Sequence, residues 1–167
     1  MMRISILIFF LIFFTNNVSS NESKIVYVDL DFIILNSKIG KNVLKKLNEL
    51  DKSNLNKLEA LNKELKDNEA NLKNKKNIIS EEAFKNEYNI LREKIKKYNN
   101  EKNKMVNDLK DLKNKELNKI LKNIKPILDT YMQENSIDII LNSKNIAIAN
   151  SKLDITQLIL DEVNNKL

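Results

Sequence analysis

The pattern of hydrophobic and polar positions divides the chain into a long helical middle and two short mixed ends. At the first end, the apolar, β-branched run from Lys24 to Asp29 predicts a short strand that is buried on both faces. One or two helical turns are expected from Asp29 to Ser37. Gly40 is interpreted as a joint before the next element.

A first long helix is predicted from Lys41 to Ile78, because apolar residues recur there at heptad spacing. The seam is thin, since Asp51 interrupts one apolar column, formed by Leu44, Leu58, Leu65 and Leu72, and three polar residues interrupt the matching column of Leu47 and Leu61, namely Asn54, Asn68 and Lys75. A helix of this length would extend for about 57 Å at 1.5 Å per residue.

A second long helix is predicted from Ser80 to about Gln133. Ser80 is a suitable N-cap, and Glu81 and Glu82 suit the first turn. Pro126 is expected to kink this helix or to remove one backbone hydrogen bond. Two such helices, joined by a tight turn and each carrying a narrow apolar stripe, are predicted to fold back as an antiparallel hairpin.

The last segment changes character. Two short strands are predicted at 137–141 and 146–149, and Asp154 with Gln157 predicts a capping box for a final helix. The predicted fold class is therefore α+β, mostly α, with a long helical hairpin projecting from a small strand-and-helix body. Residues 41–120 form the predicted arm, and residues 21–40 together with 121–167 form the body. A body this small is marginal alone, so we expect an oligomer.

The first twenty residues resemble an export signal. Met1 to Arg3 are followed by an apolar run from Ile4 to Phe14, which is too short to span a bilayer. Small residues precede a predicted cleavage site after Ser20. Residues 1–20 are therefore predicted to be a signal peptide, and the mature chain is expected to be exported.

Composition narrows the chemistry that the chain can support. With no Cys, no His and a single Gly, it has no Cys nucleophile, no His base, no His- or Cys-ligated metal site and no Gly-rich phosphate loop. Its carboxylates alternate with lysines along helix faces, which is typical of solvated surface charge. We therefore predict a protein that is not an enzyme and that holds no cofactor.

The charge is unevenly distributed. Residues 41–120 contain 21 Lys or Arg and 14 Asp or Glu, a net charge of +7, whereas the rest of the mature chain carries −2. Basic arms would attract anionic partners from a distance. The predicted binding residues of the arms are apolar residues off the seam, Leu50, Leu55, Ile78, Ile79, Ile90 and Val106, together with lysines near the tip or on the outer half, Lys73, Lys75, Lys76, Lys96 and Lys97.

Both ends of the chain resemble one family. The segments Lys24 to Asp29, Ile34 to Ser37 and Gly40 to Lys41 are similar to the amino-terminal signature of the Skp/OmpH family of periplasmic chaperones. The segments 137–142, 146–150 and 154–156 resemble that family's closing strand–strand–helix pattern. The chain departs from it at Ser136 and Ala147, where family members often carry Gly and Tyr.

The resemblance implies a periplasmic homotrimer that holds unfolded outer-membrane proteins between its arms without ATP. Three bodies would pool their strands through the predicted trimerisation residues Ile25, Val26, Tyr27, Val28, Ile137, Ile139, Ile146 and Ile148.

Two other interpretations stay open. A structural coiled-coil envelope protein would use the same arms for fixed pairing without client binding. The basic isoelectric point, about 9.3, also suits nucleic acid, but the export signal argues against that partner. Binding of the basic arms to anionic lipid headgroups is compatible with the chaperone interpretation.

Overall fold

A computed structural model describes residues 23–167, so the predicted signal peptide and its cleavage site lie outside the described residues. The described elements, in chain order, are β1 (Ile25–Val28), α1 (Leu30–Asn36), α2 (Lys38–Lys75), α3 (Glu81–Glu134), β2 (Ile139–Asn142), two single 3₁₀ turns (Ser143–Asn145 and Ser151–Leu153) and α4 (Thr156–Lys166). The predicted α+β, mostly α, architecture is confirmed.

Side-chain caps set the boundaries of the first helices. The Asp29 carboxylate accepts a hydrogen bond from the Phe32 amide at 2.9 Å and caps α1. The Ser37 hydroxyl accepts one from the Gly40 amide at 3.1 Å and caps α2. One serine therefore ends α1 and starts α2 with no intervening loop.

The interpretation of Gly40 as a joint is wrong. Gly40 lies inside the first turn of α2, and a Cβ atom placed on it would come within 1.5 Å of the Ile34 carbonyl oxygen. The residue is glycine because α1 and α2 cross with their backbones in contact, and backbone atoms cannot move aside as a side chain can.

The helical hairpin is confirmed with ends close to the predicted ones. Its turn begins after Lys75, and the Ser80 hydroxyl caps α3 by accepting from the Ala83 amide at 3.3 Å. Pro126 lies within α3, which stays one continuous helix from Glu81 to Glu134. Of the two predicted effects of Pro126, the lost backbone hydrogen bond follows from its missing N–H group.

The chain ends meet in a two-stranded parallel sheet, where Ile25 pairs with Ile139 and Val28 with Asn142. The predicted strand at 146–149 is not formed. These residues are irregular backbone between two 3₁₀ turns, and Ile148 is 92% exposed. Alternating apolar residues do not make a strand unless another strand pairs with them.

The predicted capping box is also wrong. Asp154 accepts from the Thr156 amide at 2.9 Å, two residues on, and Ile155 occupies the N-cap position without a side-chain hydrogen bond. Gln157 donates instead to Asp161, one turn along α4. Asp154 therefore starts the helix through a local turn rather than through a cap.

Buried side chains form two separate clusters. The larger one joins β1, α1, α4 and the body ends of α2 and α3, and contains Ile33, Ile120, Ile124, Ile159 and Val163. The smaller one lies in the outer half of the hairpin, around Leu65, Leu72 and Leu91. Within the described residues, no buried hydrophobic residue lies between Leu47 and Leu65 on α2, so the middle of the arm is thinly packed.

Candidate functional site

The hairpin arm is the candidate site, because it carries the predicted binding residues beyond the main core. Two ion pairs fix the register of its helices, Lys57 with Glu101 and Glu64 with Lys94, the second at 2.9 Å. Lys57 and Glu64 are seven residues apart on α2, and Lys94 and Glu101 are seven apart on α3, so both pairs lie along one edge of the seam. Such antiparallel pairing is the arrangement expected for charges that flank a coiled-coil seam.

We call this side of the arm the ion-paired edge. It comprises these four residues and the residues that continue their rows, at steps of three, four or seven, on the same helix face within 52–76 and 85–113. Its members are Ser53, Lys57, Ala60, Glu64, Asp67, Asn71 and Asn74 on α2, and Glu87, Ile90, Lys94, Lys97, Glu101, Lys104, Asp108 and Asp111 on α3. Four basic and six acidic residues give it a net charge of −2.

The opposite side of the seam differs sharply in charge, and we call it the basic edge. Its members are Lys52, Leu55, Glu59, Asn62, Lys66, Glu69, Lys73 and Lys76 from α2 and its C-cap, and Lys85, Asn89, Arg92, Lys96, Asn99, Asn103, Val106, Lys110 and Lys113 on α3. Nine basic and two acidic residues give a net charge of +7. None of the nine takes part in an ion pair within residues 23–167.

An exposed apolar pair lies in the middle of the basic edge. Leu55 lies two residues before Lys57, and Val106 lies five residues after Glu101, so the antiparallel register places them about 4.5 Å apart along the arm, within one helical turn. Their exposed fractions are 59% and 58%. This pair lies in the thinly packed stretch between the two buried clusters.

The structure does not bring the predicted binding lysines into one site. Lys73, Lys76 and Lys96 lie on the basic edge, whereas Lys97 lies on the ion-paired edge. Lys75 is at a seam position, and its ammonium donates to both carboxylate oxygens of Glu87, at 2.9 and 3.1 Å. Lys75 therefore stabilises the hairpin near its turn, rather than presenting a free charge.

The predicted apolar binding residues are also scattered. Leu50 and Ile79 are half-buried, which suits cover for the partner helix. Ile90 is 60% exposed on the ion-paired edge, and Ile78 is 81% exposed in the turn at the tip. Only Leu55 and Val106 share one surface.

The predicted trimerisation residues fall into two groups. Val26, Val28 and Ile137 are buried in the chain's own core, so they are not available to a partner. Ile25 and Ile139, paired across the sheet, are 40% and 43% exposed, Tyr27 and Ile146 are half-buried, and Ile148 is almost fully exposed. The strand predicted to be buried on both faces is covered on one face only within this chain.

Further apolar residues on the body surface were not predicted. Phe32 and Leu35 on α1 are 44% and 53% exposed, and Leu141, Leu153 and Leu158 are also exposed. The sequence contained a signal for α1, because residues Phe32 to Leu35 are apolar on every side of the helix. The chain itself buries only Ile33 and Ile34 of this helix. These residues leave an apolar surface on the body.

Two exposed carboxylate–lysine pairs have shifted pKa values. The Lys94 ammonium lowers the pKa of Glu64, first through its hydrogen bond and then through its charge. The side-chain amide of Asn68, one turn along α2, lowers the pKa of Glu64 by a smaller amount. Its Nδ2 atom nevertheless lacks the geometry of a full hydrogen bond to any of residues 23–167. The hydrogen bond from Lys166 to Glu162 raises the pKa of Lys166.

Neither metal nor membrane-spanning features were found among residues 23–167. No group of three Asp or Glu side chains there is arranged to hold a metal ion. No helix in that range has an apolar stretch long enough to cross a bilayer.

Comparison with known proteins gives consistent matches. A family model described as "Outer membrane protein (OmpH-like)" matches residues 24–163. A solved structure from Caulobacter crescentus CB15, described as an OmpH-like outer membrane chaperone, superposes with a TM-score of 0.80 at 16% sequence identity. The match covers 87% of this chain and 86% of that one, which shows a shared fold. No curated protein matches the sequence.

Proposed function

The chain belongs to the OmpH-like family, and on that premise we propose that it is an ATP-independent holding chaperone. It binds unfolded outer-membrane proteins along its helical arms in the periplasm and prevents them from aggregating in transit. The proposal combines the family membership with an arm whose exposed surface is basic and partly apolar.

The arm is the observation that carries this proposal. A hairpin used for fixed pairing needs a continuous apolar seam, whereas this one has no buried hydrophobic residue between Leu47 and Leu65. Its unpaired lysines and exposed Leu55 and Val106 favour many weak contacts with a partner that lacks fixed structure. The alternative of a purely structural coiled coil has no specific observation in its favour.

We further propose that the active form is a homotrimer. The exposed residues Ile25, Ile139, Phe32, Leu35 and Leu158 belong to the body, and a second and third copy would cover them. Complete burial of a fully exposed side chain of this size contributes about 1.5–3 kcal/mol, and roughly half of that is available for side chains that are already half-buried. The bodies, residues 21–40 and 121–167, would join at this surface and leave the arms, residues 41–120, free.

The test removes the outer arm and keeps the body. Residues 58–98 are replaced by a short turn, which deletes the cluster around Leu65, Leu72 and Leu91 but retains the larger core. We expect the shortened protein to elute as a trimer in size-exclusion chromatography with light scattering. We expect it to lose protection of an unfolded outer-membrane β-barrel protein against aggregation.

Two results would contradict the proposal. Full protection by the shortened protein would place binding elsewhere on the molecule. An intact protein that fails to slow the aggregation of any unfolded β-barrel client would exclude the holding activity itself.

A further inference from the structure

We infer that the basic edge alone, rather than the whole arm, is the surface that holds the client, and that it selects acidic, extended polypeptide segments. This inference rests on the proposed chaperone function. It goes beyond that function by naming one side of each arm and the chemistry of the segment bound there.

The charge on the two edges carries the first step. The arm's excess of positive charge lies on the basic edge, at +7, while the ion-paired edge carries −2. On the ion-paired edge, Lys57, Lys94 and Lys104 are already paired with carboxylates. An acidic chain approaching the arm is therefore attracted to one side only.

The residues around Leu55 and Val106 carry the second step. Lys52 precedes Leu55 by three residues, and Lys110 follows Val106 by four, so ammonium groups flank the apolar pair within one helical turn. On the tip side, Asn103 lies one turn from Val106. Apolar contact and charge are thus available to the same short segment.

Side-chain amides distinguish a polypeptide from other anionic partners. Asn62, Asn99 and Asn103 continue the basic edge toward the tip, and each amide has both donor and acceptor atoms. The backbone of an unfolded chain exposes N–H and C=O groups, which such amides can bond as acceptor and as donor. Lipid headgroups offer chiefly anionic acceptors, so the amides favour a peptide occupant over a membrane.

A second arm is a poorer occupant of this surface. Two basic edges, each at +7, repel one another. The ion-paired edge of another copy has most of its charges satisfied within its own hairpin. Charge complementarity therefore points to a partner of different chemistry.

The test compares variants that are matched in charge. Lys52, Lys110 and Lys113 are changed to Gln on the basic edge. In the control, Lys63, Lys97 and Lys115 are changed to Gln; these lie off the basic edge and pair with no acid among the described residues. Both proteins lose three positive charges, and circular dichroism melts establish that both remain folded.

A second pair of variants is matched in apolar exposure. Leu55→Ser removes a side chain that is 59% exposed on the basic edge, and Ile90→Ser removes one that is 60% exposed on the ion-paired edge. The chain contains no Trp, so the tryptophan fluorescence of an unfolded acidic β-barrel client reports binding directly.

We expect the basic-edge lysine variant to raise the Kd for this client about tenfold at low salt, mainly through slower association, and its control to change it less than about twofold. We expect Leu55→Ser to speed client release several-fold and Ile90→Ser to leave it unchanged. Equal effects of the two lysine variants, or none, would overturn the inference and leave the chaperone function standing.

Two further outcomes separate this inference from its alternatives. If the basic-edge variants lost binding to vesicles containing anionic phospholipid but kept client binding, the edge would be a membrane surface and the inference would be wrong. If the unmodified protein bound no unfolded client, the proposed function would fail and the inference with it.

Discussion

Ser136 is under backbone strain at the end of α3. Its φ of 50° lies in the left-handed region, and the Ile137 amide donates back to the Met132 carbonyl at 3.0 Å, as in a Schellman motif. Glycine usually fills this position, because a Cβ atom there costs about 1 kcal/mol.

We therefore expect Ser136→Gly to raise the free energy of unfolding by about 0.5–1 kcal/mol, since relief of the strain exceeds the added freedom of the unfolded chain. Thermal or urea unfolding measures the change. Ser136→Ala is the control, because it keeps the strain and should bring no gain. A destabilised glycine variant would contradict the assignment of strain.

Glu64 provides a test of the register at the same scale. Because Lys94 lowers its pKa, the pair contributes at neutral pH and is lost as the pH falls through the lowered pKa of Glu64. We expect the NMR titration midpoint of the Glu64 carboxyl to lie below its ordinary value of 4.5 and to rise in Lys94→Gln. An unchanged midpoint in that variant would show that the two helices pair differently in solution.

At the scale of the element, Asn68 is the polar residue that interrupts the outer cluster. It lies between Leu65 and Leu72 on α2, and its buried Nδ2 atom has no hydrogen-bond partner among residues 23–167. Such an unmade hydrogen bond costs about 1–3 kcal/mol.

We expect Asn68→Leu to stabilise the outer arm by about 1–2 kcal/mol, because it removes the unpaired amide and extends the apolar cluster. Native-state hydrogen exchange of amides near Leu72 and Leu91 would detect the slower opening. Asn71→Leu, at an exposed position one turn away, should have little effect. Equal exchange in both variants would mean that Asn68 is satisfied in solution.

The elements themselves were largely predictable from sequence. Heptad spacing predicted a helix from Lys41 to Ile78, and the observed one runs from Lys38 to Lys75, because Ser37 caps it. Gly40 was misinterpreted because glycine indicates either a flexible backbone or a close approach, and only the crossing at Ile34 decides which. The prediction of a strand at 146–149 was wrong because a strand requires pairing with another strand, which an alternating pattern cannot show.

The candidate site was predictable only in part. The basic charge of the arms is visible in the sequence, but its confinement to one edge depends on which faces of the two helices meet. The pairs Lys57–Glu101 and Glu64–Lys94 show which faces meet, and they join residues 44 and 30 positions apart. The sequence pattern of a single helix cannot predict which face of the other helix it meets.

At the scale of the whole molecule, one face of the sheet is packed in the core of its own chain, whereas the other face is available for assembly. Val28 is 2% exposed within its own chain, whereas Ile25, on the other face, is 40% exposed. The same charged substitution should therefore have different consequences at these two positions of one strand.

We expect Val28→Asp to unfold the body, because an unpaired buried charge costs several kcal/mol. Ile25→Asp should leave a folded monomer, since its charge meets solvent until a partner covers the strand. Circular dichroism and light scattering distinguish the two results. A stable trimer of Ile25→Asp would move the proposed interface away from this face of the sheet.

The parallel pairing of β1 with β2 also has a consequence for the order of folding. Lys24 and Asp138, which join beside the sheet, are 114 residues apart, whereas the hairpin contacts near Lys75 and Glu87 span only 12. Closing a flexible loop of the longer span costs about 4 kcal/mol of chain entropy, whereas the hairpin closes locally and quickly. Once the hairpin has formed from its tip, it brings β1 and β2 to the same place, so each body can complete its fold only after its own arm has formed.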